Sequence, residues 1–154
     1  MIVFRLSTSI YAENLSGKGA ELYGGRWNSI GTPVVYSASS RALAMAEVAV
    51  HLHFQKIPKD MMMVELYLPE DSMTSLPIQE LNANWEMFPY SYHTQKIGDD
   101  FIQENRFLVI KVPSAVVKGD YNFLINPRHI ELQKIKIVNI SPFRFDSRIF
   151  SKEG

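Results

Sequence analysis

PVVYSASSRALAMAEVAV, residues Pro33 to Val50, packs a strand, a turn and a helix into one short stretch. Pro33-Val34-Val35-Tyr36-Ser37 is β-branched and aromatic, the composition of a half-buried strand. Ser39 or Ser40 then offers an oxygen to the unpaired N–H groups that open a helix. That helix reads through about Phe54, and from Ala42 to Val50 it has almost no polar face. A helix so apolar needs a sheet to lie on, so the neighbouring segments decide the fold class.

Those neighbours read mostly as strands. Ile2 to Leu6 opens the chain as one, Met61 to Leu68 is a second ended by Pro69, and Arg106 to Val112 is a third. Tyr121 to Ile125 follows, and Lys134 to Ile140 alternates polar and apolar residues with the period of a strand, with Phe143 and Phe145 extending it beyond Pro142. A short helix is expected around Gly98 to Glu104, and a turn at Asn126-Pro127. Residues 11–32 hold Gly17, Gly19, Gly24, Gly25 and Gly31 and are expected to be loop and turn. Strand runs with one prominent helix make an α+β fold rather than alternating parallel units.

The chain has 154 residues, the size of one domain, with 46% apolar and 21% charged residues. Sixteen basic residues balance sixteen acidic ones, so there is no cationic surplus of the kind that grips phosphate backbones, and direct nucleic-acid binding is not expected. Cysteine is absent, which removes disulfides, thiolate nucleophiles and cysteine-ligated metals. Met1-Ile2-Val3-Phe4 leads directly into Arg5 without a secretory signal, and the apolar run at Ala42 to Val50 is too short to span a bilayer. A cytoplasmic protein with no membrane association is the expectation.

Glu47 is the residue that fits its surroundings least. It shares a helix stripe with Leu43 and Val50, and burying an ionised carboxylate costs several kcal/mol in effect, on the order given by desolvation, unless it is paired. Arg26 or a ligand could be that partner; a structural ion pair or a partly exposed position are the alternatives. The run Gly17-Lys18-Gly19 to Gly24-Gly25-Arg26-Trp27-Asn28 invites a phosphate-loop reading, but Leu22 stands where a dinucleotide fingerprint needs its third glycine, and no lysine–hydroxyl pair follows. What it offers is close backbone approach beside an arginine suited to bidentate phosphate contact, or else an ordinary turn. His51 and His53 point to different helix faces, and with His93 and His129 they form no metal motif. His51 lies one turn after Glu47 and shares its face. Ser114, after Val112-Pro113, has no nucleophile elbow around it and reads first as a turn or cap. Asn122 and Asn126-Pro127 also read first as turn chemistry.

Taken together these pieces resemble the RES domain, a toxin family. The resemblance runs from Arg5 through Gly24-Gly25-Arg26-Trp27-Asn28, Gly31-Thr32-Pro33-Val34-Val35-Tyr36 and the helix carrying Glu47. It continues through Gly98-Asp99 and Val112-Pro113-Ser114 to Asn122-Phe123-Leu124-Ile125-Asn126-Pro127-Arg128-His129, so it takes in residues 1–154 as a single domain. The resemblance implies an ADP-ribosyltransferase-like split β-structure with flanking helices, and a toxin that depletes NAD+ by cleaving the nicotinamide–ribose bond, through hydrolysis or phosphorolysis. NAD+ would be substrate, with no cofactor and no metal. It implies Arg26, Tyr36 and Glu47 as the catalytic group and Ser114 in the same cleft, with Arg5, His51, Asn122 and Asn126 in supporting contacts. It also implies a helix-turn-helix, Xre-like antitoxin and a toxin homodimer. Transfer of ADP-ribose to a protein is the alternative reading, and an RNA-directed toxin a weaker one.

Overall fold

The computed structural model describes residues 1–52 and 56–150. Among these, seven strands form one sheet and three helices flank it: β1 (Ile2–Thr8), α1 (Lys18–Tyr23), β2 (Val35–Ala38), α2 (Arg41–Ala49), β3 (Met61–Tyr67), β4 (Met73–Ser75), α3 (Tyr92–Glu104), β5 (Val109–Pro113), β6 (Tyr121–Ile125) and β7 (Lys136–Phe143). The strand order is β4-β5-β6-β2-β1-β3-β7, antiparallel throughout except for the parallel β4–β5 pair.

The sheet is close to two sheets. β1 pairs with β3 at seven positions from Ile2↔Tyr67 to Thr8↔Met61, but with β2 only at Phe4↔Ala38. A four-stranded half (β4-β5-β6-β2) and a three-stranded half (β1-β3-β7) therefore meet at one registered pair within the mixed sheet of an α+β fold, in keeping with the split β-structure that the RES resemblance implies. Strand alternation assigns two faces. On one, Val3, Val35, Val64, Leu66, Phe123 and Ile125 meet Ala12 and Ile135 in a continuous core. The other face carries two separate clusters. Leu43 and Ala44 of α2 pack on Leu6, Ala38, Met61 and Met63; Phe101 and Ile102 of α3 pack with Trp27, Trp85, Val112 and Leu124. The space between α2 and α3 on this second face is where the chemistry-bearing residues gather.

Several expectations need correction. Residues 11–32 contain the helix α1, bracketed by Gly17 and Gly24, whose positive φ angles of 71° and 72° begin and end it. α3 starts at Tyr92, six residues before the expected Gly98, because the Ser91 hydroxyl accepts from Thr94 N–H and caps it. β4 was not expected; only its pairing with Val109–Lys111 makes three residues a strand. The α2 cap is Ser40, which accepts from Leu43 N–H at 3.0 Å. The helix ends at Ala49, with Val50 exposed rather than in the core, while Val48 and Ala49 pack on the cluster of Leu6, Ala38, Met61 and Met63. His53 and Phe54 lie outside the described residues. No helix among the described residues is long and apolar enough to cross a membrane.

Candidate active site

Arg26 stands at the tip of a tight turn. Gly25 N–H donates to Asn28 O at 2.9 Å and closes the four residues Gly25–Asn28. The turn is held from three sides. Trp27 is buried against Trp85, with ring centroids 6.1 Å apart. Asn28 is fully buried and donates from Nδ2 to the carbonyls of Ala20, Ser29 and Thr32. The Tyr36 hydroxyl, from β2, donates to Asn28 Oδ1 at 2.6 Å and accepts from Trp27 N–H at 3.1 Å. Burial pushes the Tyr36 phenol well above its ordinary range, the Trp27 N–H opposing that in part. Gly25 is required because a Cβ there would lie 2.7 Å from the Tyr36 hydroxyl oxygen.

So held, the Arg26 guanidinium uses one terminal nitrogen, Nη1, to donate to Trp85 O at 2.8 Å and Met87 O at 3.0 Å. These carbonyls fix its orientation, and the edge formed by Nε and Nη2 remains to hold an anion bidentately. The guanidinium carbon lies 5.2 Å from the centre of the Tyr90 ring. Arg26 and Glu47 make no ion pair among the described residues; backbone carbonyls take the place of the carboxylate partner the sequence suggested.

Glu47, in the last turn of α2, is half-buried and accepts from Ser114 Oγ at 2.8 Å. Ser114 is buried just beyond β5, and its hydroxyl oxygen also accepts from Val116 N–H at 3.1 Å and Val117 N–H at 3.0 Å. Two backbone donors fix the Ser114 oxygen in its turn, which aims its single proton at the Glu47 carboxylate. Asn122, opposite Ala38 in register, donates to Ser37 O at 3.4 Å and lies on the same face as Tyr36.

Tyr90 is the site residue that the sequence did not reveal. It is half-buried, and its hydroxyl lies 3.4 Å from His51 Nε2. Burial raises its pKa, with the Arg26 charge opposing and the Glu47 charge adding, so the phenol feels both. Exposed Phe88 packs edge-on against it at 5.2 Å. Nothing in the mixed composition of residues 70–98 distinguishes this tyrosine; the Arg26 contacts to Trp85 and Met87 bring it in.

Two expected residues lie elsewhere. Arg5 pairs in register with Val64 and shares the opposite sheet face with Val3. There its Nη1 donates to Asn14 O at 2.8 Å, and burial lowers its pKa. Asn126 follows β6 at the end away from Asn122, about 13 Å along at the rise of a strand. Its amide donates to Asn105 Oδ1 at 2.7 Å and accepts from Arg128 N–H at 2.9 Å, tying the end of α3 to the sheet. Thus Arg26, Tyr36, Glu47, His51, Ser114 and Asn122 share one face between α2 and α3, and Arg5 and Asn126 support the fold around it. No group of three or more His, Asp or Glu side chains suited to a metal ion occurs among the described residues.

A family model described as the RES domain matches residues 2–146. A protein named "Toxin Res" from Photorhabdus laumondii is 37% identical, with 97% of each chain covered. Another "Toxin Res", from Pseudomonas putida, is 38% identical over 97% of this chain and 100% of its own. A "Prs ADP-ribosylating toxin" from Sphingobium sp. is 35% identical over 92% of this chain and 89% of its own. Among solved structures, the M. tuberculosis MbcT–MbcA toxin–antitoxin complex contains a chain of the same fold, with a TM-score of 0.74 at 16% identity over 97% of this chain and 86% of that one.

Proposed function

The chain belongs to the RES domain family, and from that premise we propose that it is the toxin of a toxin–antitoxin pair and acts by cleaving the nicotinamide–ribose bond of NAD+. The observation that carries this reading is the division of labour in the site. Arg26 presents an oriented cationic edge, while Glu47 presents a carboxylate whose position is set by Ser114.

NAD+ carries the two features such a site would bind. Its pyrophosphate suits the Nε–Nη2 edge of Arg26. Its C1′ becomes cationic as nicotinamide departs, and a carboxylate in a half-shielded position stabilises that developing oxocarbenium charge and can align the attacking oxygen. The C1′–N bond breaks with its electron pair going to the ring nitrogen, so nicotinamide leaves neutral. The acceptor oxygen, from water or phosphate, forms the new bond to C1′, and where water is the acceptor its proton passes to the Glu47 carboxylate and on to solvent. Tyr36 is too committed through its hydroxyl to take part in proton transfer; it acts by fixing the Arg26 turn, while Tyr90 supplies the aromatic wall between the two charged groups.

Incubating the purified protein with NAD+, with and without phosphate, and identifying the products tests the reading. Free nicotinamide with ADP-ribose, or with its 1″-phosphate, is the expected result; intact NAD+ would overturn it. A second reading is favoured by one observation, the name of the Sphingobium relative: ADP-ribose passes to a protein instead. The same site would perform the first half of that reaction, and label from NAD+ appearing in protein rather than in free ADP-ribose would establish it.

A further inference from the structure

One face of α3 grips the Arg26 turn. Gln95, Gly98 and Asp99 are three and four residues apart and so project from the same side of the helix. Gln95 Nε2 donates to Gly25 O at 3.1 Å and to Asn28 O at 3.2 Å, the carbonyls at the two feet of the turn. The Asp99 carboxylate accepts from Ser29 N–H at 2.9 Å through Oδ1 and from the Ser29 hydroxyl through Oδ2. Between them Gly98 lets the helix backbone close on the turn, since a Cβ at that position would fall 1.5 Å from Trp27 O.

The hydrogen bonds that the Gln95 and Asp99 side chains make all go to the backbone or hydroxyl beside Arg26. We infer that Gln95 and Asp99 are positioning residues for Arg26: they lock both ends of its turn so that the guanidinium reaches the Trp85 and Met87 carbonyls and turns its free edge to the cleft. The inference rests on the reading of Arg26 as the residue that holds the NAD+ pyrophosphate. The physical reason for such a clamp is geometric. A bidentate arginine–phosphate contact tolerates little rotation, and a turn with glycines at its entry has backbone freedom that something must remove. Glu47 is held separately, by Ser114 on the far side of the site, so loosening the clamp should disturb anion binding and leave the carboxylate in place.

A double-mutant cycle tests this, with ADP-ribose as the ligand in calorimetry and nicotinamide release as the kinetic readout. Gln95→Met keeps the length of the side chain and removes both donors. It should weaken ADP-ribose binding about tenfold and raise KM by a similar factor, with kcat within about twofold. In an Arg26→Ala background the same change should alter affinity by less than about twofold, because the residue it acts through is gone. Asp99→Asn, which keeps an acceptor for Ser29 N–H, is the milder second variant and should show the same pattern with a smaller effect. Equal effects of Gln95→Met in both backgrounds, or a fall in kcat with KM unchanged, would overturn the positioning role. If the unaltered protein bound no ADP-ribose, the NAD+ reading itself would fall and take the inference with it; binding with an additive cycle would sink the inference alone.

Discussion

Ser114 and Glu47 are joined by a hydrogen bond in which the serine has no freedom left: Oγ accepts from Val116 and Val117 N–H and gives its only proton to Glu47 Oε1 at 2.8 Å. A hydroxyl so committed cannot also donate to a substrate. In the proposed mechanism Ser114 would act through Glu47. Ser114→Ala should therefore lower kcat for nicotinamide release about ten- to a hundredfold while KM stays near its original value, the loss expected when one partner of a hydrogen bond to a charged group is removed. Glu47→Gln keeps the shape and an oxygen for Ser114 and removes the charge, so turnover should fall on the order of a hundredfold or more with the fold intact. Steady-state kinetics beside thermal unfolding checks both; a folded Glu47→Gln protein with undiminished turnover would refute the role of the carboxylate.

In the proposed role Arg26 would use two separate edges at once, one for the Trp85 and Met87 carbonyls and one for the anion. Lysine has a single ammonium and cannot serve both. Arg26→Lys should thus weaken NAD+ binding despite the retained charge, and Arg26→Ala should weaken it further. Arg41→Ala is the control. Arg41 pairs with Glu65 and lies over the Phe4 ring at the start of α2, with its own side chain largely exposed. Isothermal titration should rank the losses Ala above Lys at position 26, with little change at 41; equal, negligible losses from both alanine variants would remove Arg26 from binding.

The Tyr36 hydroxyl holds the turn from β2, so its removal should register in stability. Tyr36→Phe strands Asn28 Oδ1 and Trp27 N–H and should cost about 1–3 kcal/mol, the range for leaving buried polar partners unmet. The pH dependence has a definite sign. The folded pKa is raised above the ordinary 10.0, so the stability this tyrosine contributes is fully present below pH 10 and is lost as the unfolded chain ionises above it. Denaturant unfolding from pH 8 to 11 should show a steeper alkaline loss for the parent protein than for Tyr36→Phe. Parallel curves would show that the phenol is not buried in this way.

How much of this could be read from the chain depends on how local the cause is. β6 was legible to the residue, Tyr121 to Ile125, because its apolar run and the turn residues that flank it are both local. The α2 cap, narrowed to Ser39 or Ser40, and the oddness of Glu47 were legible for the same reason. β4 was not, since its three residues become a strand only by pairing with β5, nor was α1, whose glycines suggest a loop until one sees them at its two ends. Tyr90 and Gln95 were invisible for a deeper reason. Their importance comes from contacts to Arg26, His51, Gly25 and Asn28, all distant in sequence, and no spacing rule links them. The face occupied by Arg5 follows from strand parity, but only once the neighbouring strands show which parity faces α2.

If the chain cleaves NAD+ as proposed, it must be restrained in the cell that makes it, and the geometry indicates where restraint would act. The Nε–Nη2 edge of Arg26 would accept a carboxylate as readily as a phosphate, and exposed Met87, Phe88 and Val50 flank the entrance with apolar surface. A helix-turn-helix antitoxin that lays an acidic side chain or its carboxy terminus against Arg26 would both neutralise that edge and cover the Glu47 side. Expression of the toxin alone should arrest growth, with cellular NAD+ falling before protein or RNA synthesis stops. Co-expression with the partner encoded beside it should restore both. In vitro, the same partner should compete with ADP-ribose for the toxin, and Arg26→Ala should weaken the complex, because the two ligands would share one cationic edge. Arrest with NAD+ unchanged would reject NAD+ loss as the cause and move the RNA-directed reading forward, whereas inhibition without competition would place the partner away from Arg26.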